Sequence, residues 1–305
     1  IHFRQAQNPG SRPLAVYGLI STTSRGTKST YSPSKSTEIA LYKVSVIDTA
    51  TNTVIARINL GERRQGWGVA ISPDGTRAYV AVQVDFTDTD QVSVIDTATN
   101  TVVATVTVGS NPNGVSMTPD GTRVYVTNTS SSNVSVIDTT TNTVVATVAV
   151  GDFPRGVAIT PDGRRAYVAG LRVCVPGDCD GQVSVIDTQT NSVVATVNFG
   201  FLVSPTEVAI TPDGTRAYVA TCASEGCLEP RGHITVIDTA SNAIVATIPL
   251  GNYWPEGIAF TPDGKRAYVA DGCCSRNVYV IDTDPQSPTT TQSQLPYRLM
   301  GEPAG

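Results

Sequence analysis

A short phrase that recurs along the chain constrains its fold more than any other feature. The phrase is VSVIDT or a close variant, and it occurs at 44–49, 92–97, 134–139, 183–188, 234–239 and 278–283. A second phrase places Pro-Asp-Gly after Ser or Thr, with an arginine two positions beyond the glycine. It occurs five times, with its aspartates at Asp74, Asp120, Asp162, Asp213 and Asp263. Repetition at this period is typical of solenoids, propellers and arrays.

Each repeat is predicted to contain four short β-strands. In the second repeat, runs rich in β-branched residues lie at 68–72, 77–82, 91–97 and 101–108, separated by turn residues such as Pro-Asp-Gly and Thr-Asn. These are the signals expected of strands and tight turns. A four-stranded meander cannot bury both faces alone, whereas radial stacking buries them and protects the edges. The predicted fold is an all-β β-propeller of four-stranded antiparallel blades.

Six blades are counted, in a single domain spanning 1–305, and seven blades are the alternative. The predicted units cover about 1–61, 62–109, 110–151, 152–200, 201–251 and 252–305. In the first unit NPGSR at 8–12 stands in for the Pro-Asp-Gly phrase without its aspartate. The last strand of the sixth unit is assigned to 294–301.

The stretch YVTNTSSSNVSVIDTTTNTVVATVAVG at 125–151 resembles the YVTN family of β-propeller repeats. The resemblance covers about 42–283. It implies kinship with extracytoplasmic and surface-layer-like proteins, with lactonases and with haem-carrying nitrite reductase domains. Members of the family are commonly seven-bladed, which is why seven stays open here. The haem and lactonase functions would need a distal histidine or a convergent carboxylate–metal centre, and the sequence places neither.

Composition excludes several classes of function. Lys+Arg number 21 against 26 Asp+Glu, so the net charge is −5, and no basic cluster is present for gripping nucleic acid. No apolar run approaches the length of a membrane helix. The two histidines, His2 and His233, cannot build a His-rich metal centre. No nucleophile elbow, haem-attachment or phosphate-loop motif appears. No cofactor, metal or catalytic residue is predicted, and the sequence does not favour an enzyme.

Ligand binding is expected at one end of the blades, because length variation lies in the connections from the second to the third strand. The connections from one blade to the next share that end, and loops on a rigid scaffold usually carry binding. The repeated Asp, Arg and Tyr residues are interpreted as scaffold. The candidate ligand-binding residues are Arg63, Trp67, Phe153, Arg155, Phe201, Glu207, Tyr253, Trp254 and Glu256. The alternative is that these aromatic residues wedge between neighbouring blades.

Six cysteines lie in the second half of the chain, in polar loop sequence: Cys174, Cys179, Cys222, Cys227, Cys273 and Cys274. An even count in loops predicts disulfides and an oxidising compartment, hence a secreted, periplasmic or cell-surface protein. Cys174–Cys179 and Cys222–Cys227 are predicted to close small loops, while the last two form a vicinal bridge or pair with neighbours. A thiolate metal site is the weaker alternative. The cluster Asp85, Asp88 and Asp90 lacks the spacing of a calcium loop and is interpreted as a solvated loop.

Three functions follow from these observations. The first is a non-catalytic binding propeller whose disulfide-stiffened rim holds a protein, peptide or glycan partner. The second is a lactonase-like hydrolase or a lyase with an axial pocket, for which Glu207, Glu256 and Arg155 are the residues to test. The third is a module of a surface-layer-like assembly.

Overall fold

The structure is a computed structural model of the 305-residue chain. It describes residues 3–4, 15–20, 41–62, 64–84, 90–175, 178–201, 203–223, 231–251, 254–272, 277–283 and 293–296. The chain divides into two compact units, Ile1–Thr147 and Val148–Gly305. Within the described residues no helix combines the length and the hydropathy needed to cross a membrane.

The first unit contains three four-stranded sheets, each with neighbouring strands antiparallel and in chain order. The first sheet comprises β1 (Phe3–Arg4), β2 (Ala15–Ile20), β3 (Leu41–Asp48) and β4 (Thr53–Glu62). The second comprises β5 (Arg64–Ile71), β6 (Arg77–Val84), β7 (Gln91–Asp96) and β8 (Thr101–Thr107). The third comprises β9 (Pro112–Met117), β10 (Arg123–Asn128), β11 (Asn133–Asp138) and β12 (Thr143–Ala149), whose last two residues follow the end of the unit at Thr147, with a 3₁₀ turn at Thr129–Ser131.

The second unit contains three further sheets of the same order. The fourth sheet comprises β13 (Val157–Ile159), β14 (Arg165–Val175), β15 (Asp178–Asp187) and β16 (Ser192–Phe201). The fifth comprises β17 (Val203–Ile210), β18 (Arg216–Ala223), β19 (Arg231–Asp238) and β20 (Ala243–Gly251). The sixth comprises β21 (Pro255–Phe260), β22 (Arg266–Asp271), β23 (Asn277–Asp282) and β24 (Ser293–Pro296).

The fold class is therefore confirmed as an all-β propeller of four-stranded antiparallel blades. The predicted number of blades needs correction. Five sheets, β5–β8 through β21–β24, are blades that carry the Pro-Asp-Gly turn between their first two strands. The sheet β1–β4 lacks that turn, and its first strand has only two residues, so it is not counted among the repeat blades. The count is five blades rather than six or seven, with β1–β4 as an additional N-terminal sheet. That residues 1–305 form a single domain stays a prediction.

The core of each blade lies in its middle strands. The tyrosine of the second strand is buried in four blades, at Tyr79, Tyr125, Tyr167 and Tyr218. The fourth strand is mostly exposed, and in β8 only Val106 is buried. β-branched residues therefore serve two purposes here. They fill the core in the inner strands, and in the outer strand they favour extended backbone.

The repeated phrases hold tight turns at one end of every blade, which we call the turn end. In the Pro-Asp-Gly turn before β18, Asp213 Oδ1 accepts hydrogen bonds from Thr211 Oγ1 (2.6 Å) and Thr215 N (3.0 Å). Gly214 has a φ of +75°, a conformation that favours glycine. Thr239 Oγ1, from the IDT phrase, donates to Gly214 O at 2.6 Å and ties the two turns of the blade together.

The same chemistry recurs at the turn end of the described blades. The hydrogen bond from Thr211 is the main reason that the pKa of Asp213 is lowered, with Thr215 N adding to it. Arg216 forms an ion pair with Asp238 across β18 and β19. The interpretation of the repeated Asp, Thr and Arg residues as scaffold is consistent with these contacts. The opposite end, which holds the connections between blades, is the loop end.

Candidate functional site

The first strand of a blade carries a β-bulge near the loop end. In β17 the pairing passes from Pro205↔Thr221 to Glu207↔Ala220, which leaves Thr206 without an opposing residue. Glu256 is left in the same way in β21. In the first unit, two residues oppose one at Trp67–Gly68 and at Asn113–Gly114. Bulges re-aim side chains and are frequent beside functional sites.

Direct contacts join the first strands of the three blades in the second unit. Gly156 N donates to Thr206 O at 3.2 Å. The buried hydroxyl of Thr206 donates to Pro255 O at 2.8 Å. A β-carbon on Gly156 would lie 2.7 Å from Glu207 Cα, so this approach requires glycine. The residues beside these contacts are therefore held close to one another.

Three charged residues that the sequence singled out lie at these contacts, and we call them the loop-end triad: Arg155, Glu207 and Glu256. Arg155 precedes Gly156 and is exposed, and its backbone N donates to Ala169 O at 2.8 Å. Glu207 is half-buried, and its Oε1 accepts a bond from Val208 N at 3.1 Å. The triad combines one guanidinium with two carboxylates, so it can bind a polar ligand through charge-assisted hydrogen bonds.

Glu207 is the most informative departure from the repeat. In the other four blades the aligned position is glycine: Gly68, Gly114, Gly156 and Gly257. At Gly68, an added β-carbon would come within 2.3 Å of Asn113 O on the next blade. A carboxylate therefore stands at a position where Gly68 and Gly156 bring neighbouring backbones into contact.

Glu256 is exposed, but its position is constrained by its own blade. A β-carbon on Gly272 would lie 2.2 Å from Glu256 Cδ, so the carboxylate lies against the Gly272 backbone. Trp254 is half-buried and anchored nearby, because its N donates to Asp271 Oδ1 (3.1 Å) and its O accepts from Gly272 N (2.7 Å). The side chain of Glu256 thus has a fixed wall on one side and solvent on the other.

The remaining predicted rim residues have mixed positions. Trp67 packs against a core cluster that the second and third sheets share, and its Nε1 donates to Gln83 Oε1 at 3.3 Å, which agrees with the alternative in which aromatic residues wedge between neighbouring blades. Phe153 is 48% exposed and has a φ of +47°. The backbone of Phe201 pairs with Asp180 in β16, but its side chain lies outside the described residues. Arg63 and Tyr253 also lie outside them.

The cysteine predictions are only partly covered by the structure. Cys174 and Cys179 face each other as backbone partners across β14 and β15, although their side chains are not described. Cys222 is buried in the regular strand β18 rather than in a loop, and no disulfide that includes it is seen among the described residues. Cys227, Cys273 and Cys274 lie outside the described residues, which contain no disulfide.

No group of three His, Cys, Asp or Glu residues that could hold a metal ion exists among the described residues. Those residues therefore do not assemble the carboxylate–metal centre that the resemblance to lactonases implies. The interpretation of Asp90 as solvated was wrong, since it is 7% exposed. Its Oδ1 accepts from Val84 N (2.7 Å) and its Oδ2 from Asn111 N (2.6 Å). Asp85 and Asp88 are not among the described residues.

Sequence reasoning missed Thr206, whose hydroxyl links two blades beneath the triad. The available signal was the alignment of PTE at 205–207 with PRG and PEG in the neighbouring repeats. That alignment marks Glu207 as a replacement of glycine and Thr206 as a replacement of a charged residue.

Comparison with known proteins gives a family and a fold. A family model described as "SMP-30/Gluconolactonase/LRE-like region" matches residues 35–223. A solved structure of hydrazine synthase from Kuenenia stuttgartiensis is 26% identical, with a TM-score of 0.69, over 80% of this chain and 73% of that one. A functionally unknown protein from Desulfotomaculum acetoxidans has a TM-score of 0.56 and 16% identity, over 80% and 78% of the two chains, and shows the fold alone. No curated protein matches the chain.

Proposed function

We propose that this chain is a lactonase-like hydrolase whose reaction takes place at the loop-end triad. The chain belongs to the SMP-30/gluconolactonase/LRE-like family, which is the first reason for the proposal. The substrate class is a small cyclic ester, as the name of the family suggests. Family membership alone does not fix an activity, since related folds host different functions. The site itself must therefore carry the proposal.

One observation carries it. The hydrogen bonds from Gly156 to Thr206 and from Thr206 to Pro255 join three consecutive blades at the point where Arg155, Glu207 and Glu256 stand. A guanidinium and two carboxylates on a rigid backbone can bind an ester oxygen, hold a water molecule and accept its proton. Groups positioned in this way can accelerate hydrolysis without moving large parts of the protein.

Glu256 is the general base in this proposal. Its exposed carboxylate takes a proton from water as the water oxygen forms a bond to the ester carbonyl carbon. The Arg155 guanidinium stabilises the negative charge that develops on the carbonyl oxygen. The carbonyl then re-forms, the bond from carbon to the ring oxygen breaks, and that oxygen takes up the proton from Glu256. The product is an open-chain hydroxy acid.

Glu207 has a positioning role. It lies beside Gly156, the residue that follows Arg155, because the Glu207 Oε1 atom is 2.8 Å from where a β-carbon on Gly156 would be. Its negative charge near the Arg155 backbone favours orientation of the guanidinium toward the triad. Replacing Glu207 with Gln is expected to raise KM more than it lowers kcat.

The decisive experiment tests hydrolysis of a panel of lactones by the purified chain. The rate is measured as the amount of acid released at constant pH. We expect Glu256→Gln to lower kcat by about 10²–10⁴-fold, the usual contribution of a positioned base, while substrate still binds. Asp263→Asn is the matched control, since it removes a carboxylate from the turn end of the same blade. Equal rates for the wild type and Glu256→Gln would contradict the proposal.

A second candidate is the binding propeller, and one observation favours it. Phe153 is 48% exposed at the loop end, two residues from Arg155, and exposed aromatic residues beside arginine are typical of binding hot spots. In this case a protein, peptide or glycan partner would bind without turnover. Phe153→Ala should then weaken partner binding at least tenfold in a pull-down titration, while no lactone is hydrolysed.

An extracytoplasmic location, as a YVTN-like repeat protein with disulfides among Cys174, Cys179, Cys227, Cys273 and Cys274, is also retained as a proposal. Mass spectrometry of the unreduced protein tests it. Each disulfide lowers the mass by two hydrogens, and a fully reduced chain recovered from the native host would contradict it. The surface-assembly function predicts higher oligomers in gel filtration, whereas a monomer at all concentrations argues against that function.

A further inference from the structure

A cavity of about 340 Å³ opens at the turn end of the second unit, between the blades β13–β16 and β17–β20. It lies at the other end of the first strand from the loop-end triad. Arg155 precedes β13 and Thr160 follows it, a separation of roughly 16 Å at 3.3 Å per strand residue. The cavity is lined mainly by charged and hydroxyl residues of both turns, including Asp162, Arg164, Arg165, Asp213 and Thr239.

The walls of this cavity are rigid because two contacts lock the blades together. The Tyr167 hydroxyl donates to Asn242 Oδ1 of the next blade at 2.8 Å. Burial raises the pKa of Tyr167 to about 12, so the donor proton is retained at neutral pH. Pro161 also packs on the neighbouring turn, where a β-carbon on Gly214 would lie 3.2 Å from Pro161 Cδ.

The next blade along the chain, β17–β20, has a threonine at the position where the cavity has Arg164, and it shows how such a turn is closed. There Thr215 follows the Pro-Asp-Gly glycine, and its hydroxyl donates to both carboxylate oxygens of Asp213, at 3.0 and 2.9 Å. Arg216 then forms an ion pair with Asp238. Every strong polar group of that turn has a protein partner.

The turn at the cavity differs at these positions. Arg164 replaces the threonine, so Asp162 accepts bonds from Thr160 Oγ1 (2.5 Å) and Arg164 N (3.0 Å) through its Oδ1 alone. Across the described part of the chain, neither Arg164 nor Arg165 lies in an ion pair like that of Arg216. The charge of Arg164 acts on Asp162 and that of Arg165 on Asp187, in both cases without an ion pair among the described residues. Both guanidinium groups line the cavity, and together with Asp162 Oδ2 they can contact a ligand there.

We propose that this cavity binds a small hydroxy acid in its anionic form. The planar guanidinium groups of Arg164 and Arg165 match the geometry of a carboxylate and can bind it in a bidentate manner. Asp162 Oδ2 accepts a bond from a hydroxyl group of the same molecule. A carboxylate without hydroxyl groups would use only half of the site. This proposal stands independently of the lactonase proposal.

The second carboxylate of the cavity does not prevent anion binding. Asp213 is held by the Thr211 hydroxyl and by both donors of Thr215, so its charge is directed to its own turn. The cavity is lined by two guanidinium groups, of Arg164 and Arg165, and by two carboxylates, of Asp162 and Asp213. The net charge of these four groups is therefore close to zero. Such a site selects a ligand with both acceptor and donor groups over a plain anion.

The test is isothermal titration calorimetry with gluconate, and with acetate as a carboxylate that lacks hydroxyl groups. We expect gluconate to bind and Arg164→Thr to weaken it by about tenfold or more, as loss of a charge-assisted hydrogen bond does. This variant should fold, because threonine is the residue that closes the matched turns at Thr76 and Thr215. Lys265→Thr is the control, since it removes a cation from the equivalent position of another blade.

Three outcomes would overturn the proposal. The first is no heat of binding with millimolar gluconate. The second is an equal loss of affinity in Lys265→Thr, which would reduce the effect to net charge. The third is equal affinity for acetate, which would remove the hydroxyl recognition. Failure of the lactonase proposal is detected separately, because Glu256→Gln should leave gluconate binding at this cavity unchanged while abolishing turnover.

Discussion

The two ends of the blades in the second unit differ in how their polar groups are satisfied. At the turn end of β17–β20, Asp213 accepts bonds from Thr211 and Thr215, and Arg216 pairs with Asp238, so the turn is closed by its own side chains. At the loop end, Arg155 and Glu256 reach solvent above a backbone held by Thr206. A repeat can vary freely only where its own folding does not use the side chain.

The comparison also shows where to look for function in a repeat protein. Glu207 stands where the other blades have glycine, and Arg164 stands where three of them have threonine. Neither residue belongs to an unusual motif. Each is recognisable because other blades show what its position does, namely close backbone contact at Gly68 and Gly156 and closure of the turn at Thr76 and Thr215.

Acidification should produce the largest decrease in Tm, and it should do so through the aspartates of the turn end. Hydrogen bonds to their own turns hold the pKa values of ten aspartates below the ordinary value: Asp48, Asp74, Asp96, Asp120, Asp138, Asp162, Asp187, Asp213, Asp238 and Asp263. Because each pKa is lower in the folded state, the resulting stability is present above about pH 4 and is lost as the pH falls through the folded-state values. We expect Tm to be nearly constant between pH 5 and 7 and to decrease steeply below pH 4.

Thermal unfolding followed by circular dichroism measures this effect. Asp213→Asn should lower Tm at pH 7 and make its decrease on acidification shallower, since one titrating group has been removed. An Asp213→Asn profile parallel to that of the wild type below pH 4 would show that the turn end is not the acid-sensitive part.

A glycine substitution at the loop end should have the next largest effect. In Gly156→Ala the new β-carbon meets the backbone of Glu207 at 2.7 Å, which cannot be relieved by rotating a side chain. We expect a loss of about 1–3 kcal/mol in the free energy of unfolding, the usual cost of overpacking. Gly257→Ala, at the aligned position two blades further along the chain, is the control, since its nearest contact is Ala270 Cβ at 3.8 Å.

Chemical denaturation with urea provides the two free energies. The pair of variants tests whether close packing of the first strands, rather than loss of a repeated glycine as such, keeps the triad together. Similar values for Gly156→Ala and Gly257→Ala would contradict the packing explanation.

Much of the fold could be predicted from the sequence because it depends on local chemistry. Pro-Asp-Gly fixes a turn through Asp213 and Gly214, and the run Ile-Thr-Val-Ile at 234–237, rich in β-branched residues, predicts a strand that the structure buries on both sides. The blade number was less accessible. The N-terminal sheet lacks the turn phrase, and the pairing of its two-residue strand, Phe3–Arg4, leaves no recognisable pattern in the sequence.

The sites were only partly predictable because they depend on contacts between blades. The sequence placed Arg155, Glu207 and Glu256 at one end, but only the structure shows that Thr206 joins their backbones. The turn-end cavity was excluded as constant scaffold. That interpretation covered the repeated Asp and Arg residues and did not single out Arg164, since neither composition nor spacing shows that the neighbouring turn contributes Asp213 to the same cavity.

The smallest change in Tm is expected from removing an ion pair at the turn end. It distinguishes the turn before β18, whose polar groups are paired with one another, from the turn that contributes Arg164 and Arg165 to the cavity. Arg216→Ala removes the partner of Asp238, but both side chains are partly exposed, and such pairs contribute little because solvent screens them. We expect a decrease in Tm that is smaller than that of Asp213→Asn and that disappears in 1 M salt. Arg165→Ala, which removes the aligned arginine at the cavity, should lower Tm less than Arg216→Ala at low salt, because Arg165 makes no such ion pair among the described residues and acts on Asp187 through its charge alone. Measuring both variants at low and high salt checks the difference directly. If Arg165→Ala lowered Tm as much as Arg216→Ala does, the guanidinium at the cavity would be part of the scaffold and not available to a ligand.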